Sequence, residues 1–365
     1  MLYSDYFPKN YTEARERFRK EALRVGCKLL QYPISAKGPN GEELTIDVAI
    51  YGNNKTEFSL VVSSGLHGVE GLFGTAIQLA ILNQVTNLNY DKEKKKIVFI
   101  NSINPYGYSW IRRTNEDNID LNRNFLNWDE KYEGSPENYR KLEHFLNPKS
   151  TPSDFEPYKI KALYYVLRYG LRTLKNSIAV GQYEFPKGLF FGGHQESEST
   201  KIIKNEYHKW IKPSKNITHL DFHSGLGKFS DYKLLVLENK SSELWGWYGK
   251  HFGFNKIDSI NDGVAYPARG MMGSWLKKNL YVKNFRYLAP EFGTFSEIRI
   301  LENLRKENQA HFFSKTHDRT YKQAKEGLIE CFCPSSPRWR QSVVKTAMVI
   351  ASNAINADYN TDLKT

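Results

Sequence analysis

The chain has 365 residues, 40% of them hydrophobic and 14% aromatic. That is enough for a large buried core, and it excludes an intrinsically disordered chain or a miniprotein held together by disulfides. Lys and Arg outnumber Asp and Glu by 52 to 40, a formal net charge of +12 at pH 7. The basic residues are spread along the chain without zinc-finger spacing or an aromatic–basic pattern, so we expect no nucleic-acid partner.

The cysteines and the lengths of the apolar segments indicate the cellular location of the protein. Cys27, Cys331 and Cys333 form neither a zinc-ribbon nor a redox pattern, which is typical of reduced thiols in the cytosol. The first residues contain no basic region followed by an apolar one, and no segment approaches the roughly 18 apolar residues of a membrane span. We therefore expect a cytoplasmic protein with no membrane partner.

The first part of the chain predicts a strand–helix–strand unit. An amphipathic helix over 12–25 is followed by a strand over 43–51. Short β-branched runs predict buried strands over 58–63 and 96–101, and apolar residues recur at helical spacing over 70–85 between them. Two strands joined by a helix in this way belong to a parallel or mixed sheet with helices on its faces.

The second part continues the same pattern. It predicts strands over 218–222, 234–237 and 284–290 and helices over 241–252, 296–312 and 343–357. The stretch 126–216 lacks clean periodicity apart from a helical segment near 159–175, and we interpret it as an insertion. The sequence thus predicts one α/β domain over 1–365, with a mixed, mostly parallel sheet and helices on both faces.

Histidine and glutamate follow two of the predicted strands. His67 and Glu70 come directly after the strand over 58–63, and His223 directly follows the strand over 218–222. Zinc accepts both imidazole and carboxylate ligands, and three protein ligands leave one position open for water. Each pattern alone is common in proteins that bind no metal. His219 is an alternative to His223, and Asp221 is a candidate to orient an imidazole.

Arginine, asparagine and glutamate follow two further strands. Residues 112–125 include three arginines and four asparagines, a composition suited to gripping a carboxylate and stabilising an oxyanion. Asp120 is expected to brace this loop. Glu291 directly follows the strand over 284–290, where a carboxylate beside a bound metal can act as a general base.

These clusters, in this order, resemble the zinc carboxypeptidase (carboxypeptidase A-like) superfamily, and most closely its uncharacterised bacterial branch. The resemblance extends over about residues 58–294. It implies one Zn²⁺ ion held by His67, Glu70 and His223. It also implies that Asn122 and Arg123, in the Asp-Leu-Asn-Arg-Asn-Phe element, bind the terminal carboxylate of the substrate.

The same resemblance implies the remaining catalytic roles. Glu291 is the general base toward a metal-activated water, and Arg113 stabilises the oxyanion, with Arg112 as the alternative. Tyr266, in a segment similar to the substrate-capping loop of the family, is implied to hydrogen-bond the substrate. Gly273 stands where related enzymes carry a residue that sets specificity, so the preferred side chain is not indicated.

The resemblance implies a metallocarboxypeptidase that cleaves a peptide or amide bond beside a free carboxylate. A second possibility is a zinc-dependent N-acyl amino-acid deacylase similar to aspartoacylase and succinylglutamate desuccinylase. A third is a non-catalytic protein that binds carboxylates. The expected partner is accordingly a peptide or acyl amino acid with a free carboxylate.

Overall fold

The computed structural model describes residues 3–53, 55–153, 155–170, 174, 178, 180–260 and 268–359. The strands are β1 (Lys28–Lys37), β2 (Glu43–Tyr51), β3 (Phe58–Ser64), β4 (Lys95–Asn101), β5 (Asn216–Gly225), β6 (Tyr232–Val236), β7 (Ile257–Ser259) and β8 (Asn284–Gly293). The α-helices are α1 (Tyr11–Arg24), α2 (Gly71–Gln84), α3 (Pro105–Ser109), α4 (Glu137–Leu146), α5 (Tyr158–Tyr169), α6 (Glu198–Ile211), α7 (Glu243–Phe252), α8 (Met272–Asn279), α9 (Glu297–Phe313), α10 (Arg319–Phe332) and α11 (Pro337–Asn356).

These strands form one mixed sheet in the order β1-β2-β4-β3-β5-β8-β6-β7. The pairs β4–β3, β3–β5, β5–β8 and β6–β7 are parallel, and the pairs β1–β2, β2–β4 and β8–β6 are antiparallel. The central strands β4, β3, β5 and β8 therefore run in the same direction. Their carboxyl ends meet at one edge of the sheet, where α/β proteins place their sites.

Helices cover both faces of the sheet because the central strands are apolar on both sides. Leu60 and Val62 of β3 face a core formed with α1, α2, α7 and α11, whereas Val61 faces a second core with α6 and α8. Buried parallel strands typically show such continuous apolar runs. The predicted α/β class is thus confirmed, with a mixed sheet and helices on both faces.

The stretch 126–216 divides into two parts by its packing. Helices α4 and α5 build an apolar cluster of their own, which includes Leu142, Phe145 and Ala162. Helix α6 instead packs on the sheet, with Ile203 and Trp210 in the second core. The interpretation of 126–216 as an insertion stays a prediction; α4 and α5 are the part of it that packs outside the two cores of the sheet. Among the helices described, none has the length and apolar composition to cross a bilayer.

Candidate metal centre and active site

His67 and Glu70 lie on the turn that links β3 to α2. Gly68–Glu70 form a single 3-10 turn with His67 at its amino end, and side chains three residues apart nearly eclipse in such a turn. The turn packs directly on α3. A Cβ at position 68 would stand 2.1 Å from the carbonyl carbon of Gly107, so this close approach requires glycine.

The third residue, His223, reaches the same point from β5. Its Nδ1 lies 2.9 Å from Glu70 Oε2, and His67 Nδ1 lies 2.9 Å from Glu70 Oε1. All three side chains are buried, and one ligand atom from each lies within 4.8 Å of the others. The structure therefore brings together the residues that the resemblance implies as metal ligands.

A buried aspartate holds the other nitrogen of each imidazole. His67 Nε2 lies 3.3 Å from Asp120 Oδ1, and His223 Nε2 lies 2.9 Å from Asp221 Oδ2. Metal-binding histidines usually have such a carboxylate partner, which fixes the ring and makes it a better ligand. Both rings thus turn Nδ1 toward Glu70. Two imidazoles and a carboxylate arranged in this way fit a divalent ion such as Zn²⁺.

The charges of this cluster depend on one another. Burial would raise the pKa of Glu70, but the imidazoles of His67 and His223 outweigh it and lower the pKa to about 2. Burial would also raise the pKa of Asp120, yet Arg113 and His67 hold it well below its usual range. Both carboxylates are therefore ionised at neutral pH.

The aspartate beside His223 belongs to a network that the sequence patterns did not reveal. Ser63 Oγ donates to Asp221 Oδ1 at 2.6 Å, and the Tyr287 hydroxyl donates to Asp221 Oδ2 at 2.8 Å. His219, the alternative to His223, lies behind this network. Its Nε2 is 2.7 Å from Ser63 Oγ, and it is not one of the three clustered residues. The register of the strands could have revealed this network, because Ser63 pairs with Asp221 across β3 and β5.

Glu291 stands beside the cluster on the neighbouring strand. It is in register with His223 across the parallel pair β5–β8, and its Oε1 accepts a hydrogen bond from the backbone N–H of Leu226 at 2.9 Å. Burial and, to a smaller extent, the charge of Glu70 raise the pKa of Glu291 to about 7. A carboxylate with such a pKa can take up and return a proton near neutral pH.

The two adjacent arginines have different environments. Arg113 lines the cavity at this site; its Nε donates to Asp120 Oδ2 at 2.9 Å, and its Nη2 lies 2.7 Å from His67 Nε2. Arg112 is 1% exposed and donates from Nε to Glu307 Oε1 at 3.0 Å, away from the cavity lining. Of the two arginines, Arg113 is thus the one that lines the cavity, and the choice between them for the substrate contact stays a prediction.

Asn122 and Arg123 lie on the 3-10 turn Leu121–Arg123, and both line the same cavity. Asn122 Oδ1 accepts from the backbone N–H of Met272 at 3.1 Å, which ties the turn to the start of α8. Gly270 packs on this turn with φ +66°, and a Cβ there would stand 2.2 Å from the Arg123 carbonyl oxygen. Tyr266, predicted to bind substrate, lies outside the described residues.

One cavity of about 490 Å³ joins these groups, a volume within the usual range for small-molecule sites of about 300–1,000 Å³. Its polar lining includes His67, Glu70, Arg113, Asn122, Arg123, His223 and Glu291. The lining thus combines two guanidinium groups, the three candidate metal ligands and the Glu291 carboxylate. Such a cavity can accept an anionic group beside a divalent-ion site.

Solved structures with the same architecture include thrombin-activatable fibrinolysis inhibitor, at 12% sequence identity and a TM-score of 0.50, covering 96% of this chain and 75% of that one. Carboxypeptidase A from Helicoverpa armigera is similar at 12% identity and a TM-score of 0.47, with 88% and 73% of the two chains covered. The murein-tripeptide amidase MpaA from Escherichia coli O157 has 15% identity, a TM-score of 0.38 and coverage of 84% and 95%.

At 12% identity, the likeness to thrombin-activatable fibrinolysis inhibitor shows the fold alone. The expected likeness to the carboxypeptidase-like superfamily is thus confirmed as a statement about the fold. Among curated proteins, none matches the sequence. Residues 7–346 match the family described as "Protein of unknown function (DUF2817)". The chain belongs to this family.

Proposed function

We propose that this protein is a zinc-dependent hydrolase that cleaves a peptide or amide bond beside a free carboxylate. One observation carries the proposal: His67, Glu70 and His223 converge at 2.9 Å contacts in a cavity that Glu291 and Arg123 also line. When bound, Zn²⁺ supplies Lewis-acid activation of water and stabilisation of negative charge.

The residues around the ion divide the remaining work. Arg123 and Asn122 bind the free carboxylate of the substrate and thereby position the adjacent amide. Glu291 accepts a proton from the attacking water and returns it to the leaving amine. Arg113 donates hydrogen bonds to the oxygen of the tetrahedral intermediate, where preorganised donors contribute most to catalysis. Asp120 and Asp221 keep the two imidazoles oriented.

The test compares turnover with metal content. We expect Glu291→Gln to lower kcat by about 10²–10⁴-fold, the usual contribution of a general base, while the protein still binds one zinc ion. His67→Ala should lose both turnover and zinc. Dipeptides and N-acyl amino acids serve as substrates, with Glu57→Gln, exposed just before β3, as the matched control. Near-normal turnover of Glu291→Gln would refute the assignment of the base.

A deacylase acting on N-acyl amino acids is a second candidate, and one feature favours it. The cavity extends from the metal ligands between α5 and α9, where apolar side chains line it. A carboxypeptidase and a deacylase share the bond that is cleaved and differ in the group on its carbonyl side. Relative kcat/KM for the two substrate sets decides between them.

A further inference from the structure

The cavity at the metal cluster continues into the space between helices α4 and α5 on one side and α9 on the other. We call this part the apolar arm. Its walls are formed by Leu142, Phe145, Ala162, Val166, Ile300 and Leu304. In the described part of α4, α5 and α9, the charged residue lining it is Glu297, which is exposed in the first turn of α9. Such a lining disfavours charged or strongly hydrated groups.

The hydroxyl of one tyrosine beside the arm is engaged with the backbone. The hydroxyl of Tyr158, another lining residue, donates to the carbonyl oxygen of Ile298 at 3.1 Å. The ring of Tyr158 stacks on Phe145, with centroids 5.7 Å apart. These two side chains therefore present aromatic surface rather than hydrogen-bonding groups.

A buried arginine fastens the two walls of the arm to each other. Arg305 of α9 is 1% exposed, and its guanidinium carbon lies 4.7 Å from the Phe145 ring centroid and 4.9 Å from that of Tyr158. Its Nε donates to the Phe145 carbonyl oxygen at 2.6 Å, and its Nη2 pairs with Glu156 at 2.9 Å. Arg305 thus joins the two walls of the arm, and it is not among the residues that line the cavity.

The arm adjoins the side of the site where the substrate carbonyl is expected. Phe190 lies under the guanidinium of Arg113 at 5.0 Å, and Phe332 lies against Gly225, just beyond His223. Both rings line the cavity and pack in one cluster with Ile300 and Leu304. Asn122 is tied instead to the start of α8. A substrate with its carboxylate bound at Asn122 would have the arm within the same cavity available for its acyl group.

We propose that the arm binds an apolar group on the carbonyl side of the scissile amide, so that the substrate class is amino acids N-acylated by an apolar chain. This inference rests on the proposed function. A fatty acyl chain and an apolar residue of a peptide share the required chemistry. Each methylene buried in the arm raises affinity by up to about fourfold.

The experiment measures binding to the Glu291→Gln protein by calorimetry, so that substrate is not consumed. N-decanoyl-leucine is compared with N-acetyl-leucine, and N-acetyl-Phe-Leu with N-acetyl-Gly-Leu. We expect at least one apolar member to bind about 30-fold or more tightly than its partner, since about eight methylenes or one aromatic ring are buried. Preference within the first pair identifies a fatty acyl chain, and preference within the second identifies a peptide side chain.

Substitutions on α5 locate the effect. Ala162→Phe fills the arm and should reduce the preference to about threefold or less, while affinity for N-acetyl-leucine is retained. Leu163→Phe adds an aromatic ring at the next position, which is 58% exposed and outside the cavity lining, and it should retain the full preference. Val166→Phe, one helical turn further along the same wall, replaces Ala162→Phe if that variant does not fold.

Each negative result has a separate meaning. Equal affinities within both pairs would overturn the proposal that the arm binds an apolar group. A preference for the apolar member that persists in Ala162→Phe and Val166→Phe would do the same. Turnover of the same four compounds by the zinc-loaded wild-type protein tests the underlying function. If the apolar compounds bind more tightly but no compound is turned over, the proposed apolar site stands and the proposed hydrolase is refuted. If compounds are turned over but bind with equal affinity within each pair, the hydrolase stands and the apolar site is refuted.

Discussion

Asp221 receives hydrogen bonds from side chains on three different strands. Ser63 on β3, His223 on β5 and Tyr287 on β8 all contact its carboxylate at 2.6–2.9 Å. Burial would raise the pKa of Asp221, but His223 outweighs it and holds the pKa well below its usual range. A permanently charged acceptor at this point orients the His223 ring, whose Nδ1 faces Glu70.

Asp221→Asn tests this positioning role. The amide keeps the shape but loses the charge, and its NH₂ group meets donors that now lack an acceptor, so we expect zinc affinity to fall by about 10–100-fold. Competition titration with a chelator measures the affinity, and circular dichroism checks the fold. Asp258→Asn, in an ion pair at the sheet edge with Lys233, is the control. Unchanged zinc affinity in a folded Asp221→Asn protein would contradict the role.

At residue scale, the ends of strands were the signal in the sequence for candidate site residues. His67, His223 and Glu291 each follow an apolar run, and the structure places them in one cavity. Which of two adjacent arginines faces the cavity depends instead on the fold of the loop. The Glu307 carboxylate that draws Arg112 away lies nearly two hundred residues later in the chain, beyond the reach of local spacing.

At the scale of elements, the turn carrying His67 and Glu70 depends on its contact with α3. The Gly68 backbone N–H donates to the Arg113 carbonyl oxygen at 3.2 Å, so the turn and the loop carrying Arg113 are joined directly. Because the backbones touch at Gly107 as well, any side chain at position 68 must push the turn away from its neighbour.

We therefore expect Gly68→Ala to lower the free energy of unfolding by about 1–3 kcal/mol, the usual cost of overpacking, and to weaken zinc binding. Gly246→Ala is the matched control, since its Cβ would meet no atom within 4 Å on the exposed side of α7. In that helix alanine should be neutral or stabilising by up to about 1 kcal/mol. Denaturant unfolding measures both variants. Equal stability of the two would contradict the account of the turn.

The elements predicted from sequence are those with a strong apolar pattern. Strand β2 is found at 43–51 as predicted, and β3 and β4 differ from their predictions by one residue. Strand β1 carried no prediction, because it lies at the sheet edge and its residues are mostly exposed or half-buried. Neither alternation nor an apolar run marks such a strand. Strand β7, with three residues, is too short to give a pattern.

At the scale of the whole molecule, the sheet order produces the site. Strands β3, β5 and β8 are adjacent and parallel although their sequences lie far apart. Their carboxyl ends thus bring residues 67, 223 and 291 together, which strand order and parallel direction suffice to explain. No pattern in the sequence indicated the apolar arm, because it arises where α4 and α5 pack against α9, which lies far from them along the chain.

The central claim is that one divalent ion binds where His67, Glu70 and His223 converge. The most direct measurement is a zinc titration of the metal-free protein, followed by calorimetry and elemental analysis, for the wild type, His223→Ala and the exposed-histidine control His317→Ala. We expect one zinc per chain for the wild type and the control, and a loss of affinity of about 100-fold or more for His223→Ala, since one of three protein ligands is removed. Absence of zinc binding by the folded wild-type protein, or full affinity in His223→Ala, would contradict the claim.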